Sequence, residues 1–171
     1  LNYIREQGRA QKLGEHLIAI VAEGPKGRIY ISPNDQHVLV SNVEPPEELP
    51  EGGIFSNPRN FNTLTYGLTE FSDLFTNRQL VALTTLSDLV GEAREKVLAD
   101  ALAVGMPGGE RLEKGDTGAA AYANAVATYL ALAVSRQTDR CSSICSWDLS
   151  REGTRNVFAR QAIPMVWDYA E

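Results

Sequence analysis

The sequence predicts an α+β fold that is predominantly helical, and three observations support this. Two long segments, over residues 76–104 and 117–137, have apolar residues at helical spacing. Two β-rich runs within residues 16–31 are joined by a Gly/Pro turn, which indicates a β-hairpin. Most of the remaining chain is rich in Pro, Gly and Asn and has no period, which is typical of irregular structure. We therefore expect two long packed helices with a hairpin and irregular segments.

The first predicted lobe, residues 1–53, combines a helix, the hairpin and an acidic loop. A short helix is expected over residues 3–13, although Gly8 inside it costs about 1 kcal/mol relative to alanine. The first β-rich run, residues 17–22, is apolar on both faces and should be covered on both. A further short helix is expected over residues 33–43. Residues 44–53 (EPPEELPEGG) then form an acidic connecting loop.

The second predicted lobe, residues 54–171, is mainly helical and begins with an irregular stretch over residues 54–69. The first long helix follows and has a sharp start signal. Thr76 and Gln79 fit a capping box. In it the Thr76 hydroxyl accepts from the Gln79 backbone amide, and the Gln79 side chain accepts from the Thr76 backbone amide. Phe75 and Leu80 are placed to form a hydrophobic staple around that cap.

One apolar stripe continues down this helix for more than six turns. Glu92 and Lys96 are placed for an i,i+4 ion pair, and Gly105 followed by Pro107 marks the helix end. The stripe consists of Leu80, Leu83, Leu86, Val90, Ala93, Val97, Ala101 and Val104.

The second long helix follows a Gly-rich loop and has Asp116 or Thr117 as its predicted cap. Its residues are apolar nearly all round, with Tyr122, Val126, Tyr129 and Ala133 at helical steps, so we expect it to be buried. Near the end of the chain, Pro164 is well placed to start a terminal helix.

The charge of the chain argues against a free-standing nucleic-acid-binding module, because the formal net charge is −6. The distribution is uneven, however. Residues 32–53 contain five acids and no base, whereas residues 133–163 contain five arginines: Arg136, Arg140, Arg151, Arg155 and Arg160. If DNA contacts the chain, this C-terminal third is where we expect the contact. The alternative is that these arginines pair with neighbouring acids on a solvated surface.

Two cysteines, Cys141 and Cys145, are too few for a disulfide framework, which favours reduced thiols and a cytoplasmic location. Their spacing supplies at most half of a zinc site, so structural cysteines are the favoured interpretation. Apolar runs long enough to span a membrane are absent from the sequence. Likewise we find no nucleotide-binding glycine loop, no Walker loop and no nucleophile elbow. We assign no catalytic, cofactor-binding or metal-binding residue.

Three stretches together resemble the central part of large adenine-specific DNA methylases that contain a zinc ribbon. The resemblance extends back to residues 18–24 and therefore covers essentially the whole chain. The stretches are Asn57 to Leu89 (NPRNFNTLTYGLTEFSDLFTNRQLVALTTLSDL), Tyr122 to Val134 with Ser142 to Trp147 (SSICSW), and Arg155 to Glu171 (RNVFARQAIPMVWDYAE).

The resemblance implies a Rossmann-like methyltransferase that binds S-adenosylmethionine and methylates the amine of a flipped adenine. In that family the cofactor loop lies upstream of the matched region and the catalytic Asp-Pro-Pro-Tyr lies downstream, so neither is in these residues. The chain would then be a non-catalytic insertion that packs against the remainder of the same protein. The zinc ribbon needs two pairs of cysteines, and this chain has one pair.

We expect the chain to be an internal piece of a longer protein, since it opens at Leu1 without Met and stops in an apolar-rich stretch. Exposed apolar surface on the first long helix could then pair with a second copy. Within the piece, arginines and amides are the side chains that reach phosphates and base edges. The DNA-facing residues predicted on this basis are Arg151, Arg155, Asn156, Arg160, Asn57, Asn60 and Asn62. The alternative function is a protein-interaction or scaffold domain with no role in methylation.

Overall fold

The computed structural model describes residues 1–57, 59–159 and 161–170, and these residues confirm an α+β fold. The α-helices are α1 (Asn2–Arg9), α2 (Asp35–Ser41), α3 (Asn77–Ala103) and α4 (Ala119–Thr138). The strands are β1 (Ile20–Gly24), β2 (Gly27–Ile31), β3 (Trp147–Asp148) and β4 (Gly153–Thr154), which form two antiparallel hairpins. Short 3₁₀ helices cover Asn62–Tyr66, Ser72–Leu74 and Leu112–Lys114.

The chain forms two compact units, and their limits differ from the predicted lobes 1–53 and 54–171. Unit 1 contains Leu1–Val81 and Asp139–Glu171, and unit 2 contains Ala82–Thr138. Long-range backbone bonds explain why residues after 53 stay with the first unit. The Ile54 amide donates to the Thr69 carbonyl at 2.6 Å, and the Ser143 amide donates to the Leu74 carbonyl at 2.8 Å.

The hydrophobic core of unit 1 is small and draws on three separate parts of the sequence. Its buried members are Ile54, Leu74, Ile144, Cys145 and Val157. Partly buried side chains pack around them, namely Phe61, Leu64, Leu68, Phe75, Ile163 and Val166. The irregular segments therefore have a defined packing role, which their lack of period did not reveal.

Helix α1 ends at Arg9, four residues before the predicted end, and packs on the 3₁₀ helix Asn62–Tyr66. Gly8 lies at this contact and is buried. A Cβ atom on Gly8 would lie 2.1 Å from the carbonyl oxygen of Tyr66. The glycine that weakens the helix is thus required by the close approach of two backbones.

The first hairpin forms as predicted, with β1 paired to β2 from Ile20↔Ile31 to Gly24↔Gly27. The expectation that residues 17–22 are covered on both faces is wrong, because Ile18 is 71% exposed. Strand β1 is mostly half-buried, and every residue of β2 is exposed. In a sheet of only two strands, both strands are edge strands, so one face of the sheet remains exposed to solvent.

The predicted short helix and the acidic loop are both confirmed. Helix α2 starts at a capping box in which the Asn34 side chain accepts from the His37 amide at 3.0 Å. The His37 ring nitrogen Nδ1 accepts from the Asn34 amide at 3.2 Å. Residues 44–53 have no helix or strand apart from an isolated bridge between Gly53 and Glu70.

Both predicted end signals of α3 are confirmed. Gln79 Oε1 accepts from the Thr76 amide at 2.9 Å, and Thr76 Oγ1 accepts from the Gln79 amide at 3.1 Å. At the other end Gly105 has φ +88°. Its amide donates to Leu102, and the Met106 amide donates to Ala101, which is the bond pair of a Schellman ending. The predicted ion pair of Lys96 is different, however, because Lys96 Nζ bonds Asp100 at 2.9 Å rather than Glu92.

Helix α4 is not buried all round, so that expectation is wrong. Only Ala119, Ala121 and Ala123 are buried, whereas Tyr129 is 76% exposed and Leu132 is 61% exposed. The Asp116 carboxylate accepts from the Thr117 and Gly118 amides just before the helix. The loop completes the cap, because Pro107 and Gly108 carbonyls accept from the Ala119 and Ala120 amides.

The terminal helix predicted after Pro164 is also wrong: residues 164–170 form no helix. The segment instead makes isolated bridges, Phe61↔Ile163 and Ser146↔Tyr169. Pairing with earlier segments satisfies backbone groups that a helix would have used. Among the described residues, none of the helices has both the length and the apolar character needed to cross a membrane.

Candidate nucleic-acid interface

The first segment that the sequence predicted to face DNA is bonded to Ile163, eight residues after Arg155. The Ile163 amide donates to the Asn60 carbonyl at 2.8 Å, and the Asn62 amide donates to the Ile163 carbonyl at 3.1 Å. These bonds form a parallel bridge between Phe61 and Ile163. The segment 57–62 and the segment that follows Arg155 are therefore held together, although about a hundred residues separate them in sequence.

A tight turn shapes the first of these segments. The Asn57 carbonyl accepts from the Asn60 amide at 3.0 Å and from the Phe61 amide at 2.8 Å. Asn57 and Asn60 are half-buried, whereas Asn62 is exposed. The backbone contacts of Asn57 and Asn60 give these residues a structural role in the turn, and Asn62 has the most accessible side chain of the three.

The β3–β4 hairpin presents the second group of predicted residues. Asp148 orders its tip, because its Oδ1 accepts from the Ser150 amide at 2.9 Å and from the Ser150 hydroxyl at 2.6 Å. These hydrogen bonds, the hydroxyl bond foremost, lower the pKa of Asp148 below its ordinary value. Arg151 is exposed at the tip, and Glu152 beside it adopts a left-handed conformation with φ +47°.

Arg155 follows the hairpin and remains accessible. Its Nε lies 3.4 Å from Asp148 Oδ2, and 60% of its side chain is exposed. Asn156 is exposed as well, and Arg160 lies outside the described residues. The guanidinium has one ion-pair partner and is largely open to solvent, so a phosphate can compete for it.

The carboxylate of the neighbouring Asp139 is bonded to backbone amides. Its Oδ1 accepts from the Val157 amide at 2.9 Å and from the Phe158 amide at 2.7 Å. Arg140 is likewise directed to the backbone, with its Nη1 2.7 Å from the Thr154 carbonyl. Pairing with local acids therefore accounts for Arg155 but not for Arg140.

The structure adds two residues that the sequence reasoning missed, Arg28 and Tyr30 on β2. The Arg28 guanidinium carbon lies 5.9 Å from the centroid of the Trp147 ring. Tyr30 meets the same ring edge-on, with centroids 6.4 Å apart. The only signal in the sequence was that Arg28 and Tyr30 share one face of a strand, which says nothing about a partner over a hundred residues away.

Arg28 and Tyr30 of the first hairpin meet the Trp147 ring of the second. Arg155 pairs instead with Asp148, and side chains of neighbouring strand residues such as Trp147 and Asp148 point to opposite faces. Guanidinium groups bind phosphates, and aromatic rings stack on bases. Arg28, Tyr30, Arg151 and Arg155 are exposed residues of these two kinds.

The two cysteines differ in their surroundings, and neither forms a disulfide. Cys145 is fully buried, and its Sγ lies 2.6 Å from the Arg155 carbonyl and 3.3 Å from the Arg140 carbonyl. Burial raises the pKa of both thiols above the ordinary value. Cys145 thus holds together the segments that contain Arg140 and Arg155. Across the described ranges, no group of three or more His, Cys, Asp or Glu side chains is placed to hold a metal ion.

A separate polar cleft of about 170 Å³ lies at the start of α3, lined by Glu15, Ser41, Asn42, Val43, Phe75, Thr76, Asn77 and Arg78. Tyr169 belongs to the same region, since the Glu15 carboxylate acts on its phenol. Burial, with the negative charge of Glu15 as a further cause, raises the pKa of Tyr169 to about 12.

The family resemblance places the S-adenosylmethionine site outside this chain. Such a site needs a glycine-rich turn from a strand into a helix. The Gly24–Gly27 turn instead joins two antiparallel strands. Within the described part of the chain, both sheets are two-stranded and antiparallel.

Comparison with known proteins gives no further information on identity. No protein-family model, curated protein or solved structure matches the chain.

Proposed function

We propose that this chain is a non-catalytic part of an S-adenosylmethionine-dependent, adenine-specific DNA methyltransferase and that it contacts DNA through unit 1. In this proposal the methyl transfer takes place elsewhere in the parent protein. The chain supplies arginines that hold the DNA backbone and a folded support for them.

The observation that supports the proposal is the convergence of the three stretches that resemble the methylase family. The first contributes Phe61, Leu64, Leu68, Leu74 and Phe75 to the core of unit 1. The second contributes Ile144 and Cys145, and the third contributes Val157, Ile163 and Val166. Parts of all three stretches thus share one core, while Tyr122 to Val134 lies in unit 2.

The position of the arginines supports the DNA-contacting role. Arg151 lies in the turn of the β3–β4 hairpin, and Arg155 directly follows β4. Both residues are exposed. The overall charge of −6 opposes binding to a polyanion. The chain alone should therefore bind DNA weakly, and the affinity should depend strongly on salt.

The experiment measures binding of a fluorescent duplex by anisotropy over a range of salt concentrations. Arg151→Ala and Arg155→Ala are each expected to weaken binding and to reduce the slope of log K against log salt by about one. Arg111→Ala is the matched control, because Arg111 is an exposed arginine of unit 2 and its loss changes net charge equally. Equal slopes for the wild type and all three variants would exclude the proposed contact.

Methylation itself is tested in the parent protein, expressed with the reading frame on both sides of these residues. We expect transfer of a labelled methyl group from S-adenosylmethionine to adenine in DNA by the parent, and none by the 171-residue chain. If the parent protein binds DNA but does not transfer methyl groups, the DNA-contacting proposal stands and the methyltransferase assignment is wrong.

A protein-interaction or scaffold domain is the second candidate, and a specific observation favours it. Unit 2, whose residues are all described, exposes large apolar side chains on both long helices, including Leu89, Leu102, Tyr129 and Leu132. Apolar surface of this extent marks contact sites between proteins more often than contact sites for DNA. Stabilisation of the chain by a protein partner but not by duplex DNA would favour this candidate.

A further inference from the structure

The β3–β4 hairpin presents different side chains on its two faces. Consecutive strand residues point to opposite faces, and Trp147 lies on the face that meets Arg28 and Tyr30. Asp148 therefore lies on the other face. Arg155 is on this second face as well, since its Nε is 3.4 Å from Asp148 Oδ2. The hairpin thus keeps a carboxylate and a guanidinium together, away from the aromatic contacts.

The carboxylate of Asp148 is held in place by the turn that follows it. Its Oδ1 accepts from the Ser150 amide at 2.9 Å and from the Ser150 hydroxyl at 2.6 Å. The Asp148 carbonyl accepts from the Arg151 amide at 3.3 Å. Only 14% of the Asp148 side chain is exposed. Because Oδ1 is bonded to the turn, Oδ2 remains beside the Arg155 guanidinium.

Arg155 is fixed at its backbone and open at its side chain. Its amide donates to the Ser146 carbonyl at 2.9 Å, and the Cys145 thiol donates to its carbonyl. The side chain, by contrast, is 60% exposed. Gly153 lies opposite Asp148 in the hairpin register and has no side chain that could stand between the two charges. The guanidinium can therefore leave the carboxylate without any change of the backbone.

We propose that Asp148 is an autoinhibitory contact, which holds the Arg155 guanidinium and competes with DNA phosphates for it. This autoinhibition rests on the proposed function, in which Arg155 contacts DNA, and adds a regulation of that contact. A phosphate that approaches Arg155 must displace the carboxylate from the guanidinium, and it is repelled by the negative charge of Asp148. The wild-type chain should therefore bind DNA more weakly than it would without this carboxylate.

One substitution separates the charge of Asp148 from its role in the turn. Asp148→Asn removes the negative charge, but the side-chain oxygen of asparagine still accepts from the Ser150 amide and hydroxyl. Glu152→Gln is the matched control, because Glu152 is an exposed acid of the same hairpin turn and its loss changes the net charge equally. The control measures how much the affinity for a polyanion rises through net charge alone.

The test is a double-mutant cycle on Asp148 and Arg155, with the affinity for a fluorescent duplex measured by anisotropy at one low salt concentration. Asp148→Asn should tighten binding by about two- to fivefold, which is the range expected for release of an exposed ion pair. Glu152→Gln should tighten it less. In the Arg155→Ala background, Asp148→Asn should gain no more than Glu152→Gln does, because the guanidinium that it releases is gone.

The outcomes distinguish this autoinhibition from the proposed function. If Arg155→Ala weakens binding but Asp148→Asn gains no more than Glu152→Gln, or gains equally without Arg155, the autoinhibition is wrong and the DNA contact stands. If Arg155→Ala binds as the wild type does, both are wrong.

A second measurement uses the wild-type chain and does not depend on how well the Asp148 variant folds. The Nε–H resonance of Arg155, assigned by its loss in Arg155→Ala, should shift when duplex is added, because the phosphate replaces the carboxylate beside it. A resonance that stays in place while duplex binds would overturn the displacement of Asp148.

Discussion

Gly8 and Gly91 are both helical glycines, but their surroundings are opposite. A Cβ atom on Gly8 would lie 2.1 Å from the Tyr66 carbonyl oxygen, whereas a Cβ atom on Gly91 would meet nothing within 4 Å. The sequence gives both residues the same helix penalty. Only the packing of α1 against a segment nearly sixty residues away distinguishes a required glycine from a tolerated one.

This contrast gives a prediction with a built-in control. Gly8→Ala should lower the free energy of unfolding by about 1–3 kcal/mol, because the backbone of Tyr66 must move. Gly91→Ala should raise it by about 1 kcal/mol, since alanine is the better helix former and has free space. Urea unfolding of both variants measures the two changes. A stabilising Gly8→Ala would contradict the close approach of α1 to Tyr66.

Tyr169 gives a second prediction at the scale of one residue. Burial and the Glu15 carboxylate raise its pKa to about 12, above the ordinary value of about 10. Because the pKa of Tyr169 is higher in the folded chain than in the unfolded chain, its contribution to the free energy of unfolding is fully present below about pH 10. It is then lost as the pH rises from about 10 to about 12, since the unfolded chain deprotonates first.

The measurement follows the ¹³C shift of labelled tyrosine rings against pH. One of the six tyrosines should titrate near pH 12, and Tyr169→Phe should remove that signal. Glu15→Gln should lower the pKa of Tyr169 while leaving it above 10, because burial is the larger cause. An unchanged titration in Glu15→Gln would mean that the carboxylate does not act on the phenol.

At the scale of the element, α3 shows how much a local signal determines. Its start, its end and both capping devices follow from residues 76–79 and 101–106. Thr76→Ala should therefore destabilise the chain by about 1 kcal/mol, since the Gln79 amide loses its acceptor. Thr76→Ser keeps the hydroxyl and should recover most of this loss.

Thr85→Ala serves as the control for this prediction, because Thr85 is exposed in the middle of the same helix. It should change stability little or increase it slightly, as alanine is the better helix former. Thermal unfolding followed by circular dichroism compares the three variants. Equal losses for Thr76→Ala and Thr76→Ser would show that the cap contributes nothing.

Elements that depend on distant partners could not be predicted in the same way. Pro164 is a sound helix start by local rules, but the backbone there bonds to residues 60–62 and 145 instead. The apolar surface of α4 predicted burial, and within this chain its later half is mostly exposed. The arginines of the candidate interface were found from composition, whereas Arg28 and Tyr30 were missed because only tertiary structure brings β2 to Trp147.

The whole molecule combines two units that are stabilised to different degrees. Unit 1 has a continuous apolar core, and unit 2 buries mainly alanine and glycine. The two tryptophans, Trp147 and Trp167, both lie in unit 1, whereas most of the helical residues lie in unit 2. Tryptophan fluorescence and helical circular dichroism therefore report on different units.

This division gives the prediction that unfolding is not two-state. In urea, helical circular dichroism should be lost at lower concentration than the native tryptophan fluorescence, because unit 2 has little buried apolar surface to resist the denaturant. Superimposed transitions would show that the two units unfold together and that the small buried apolar surface of unit 2 does not limit its stability.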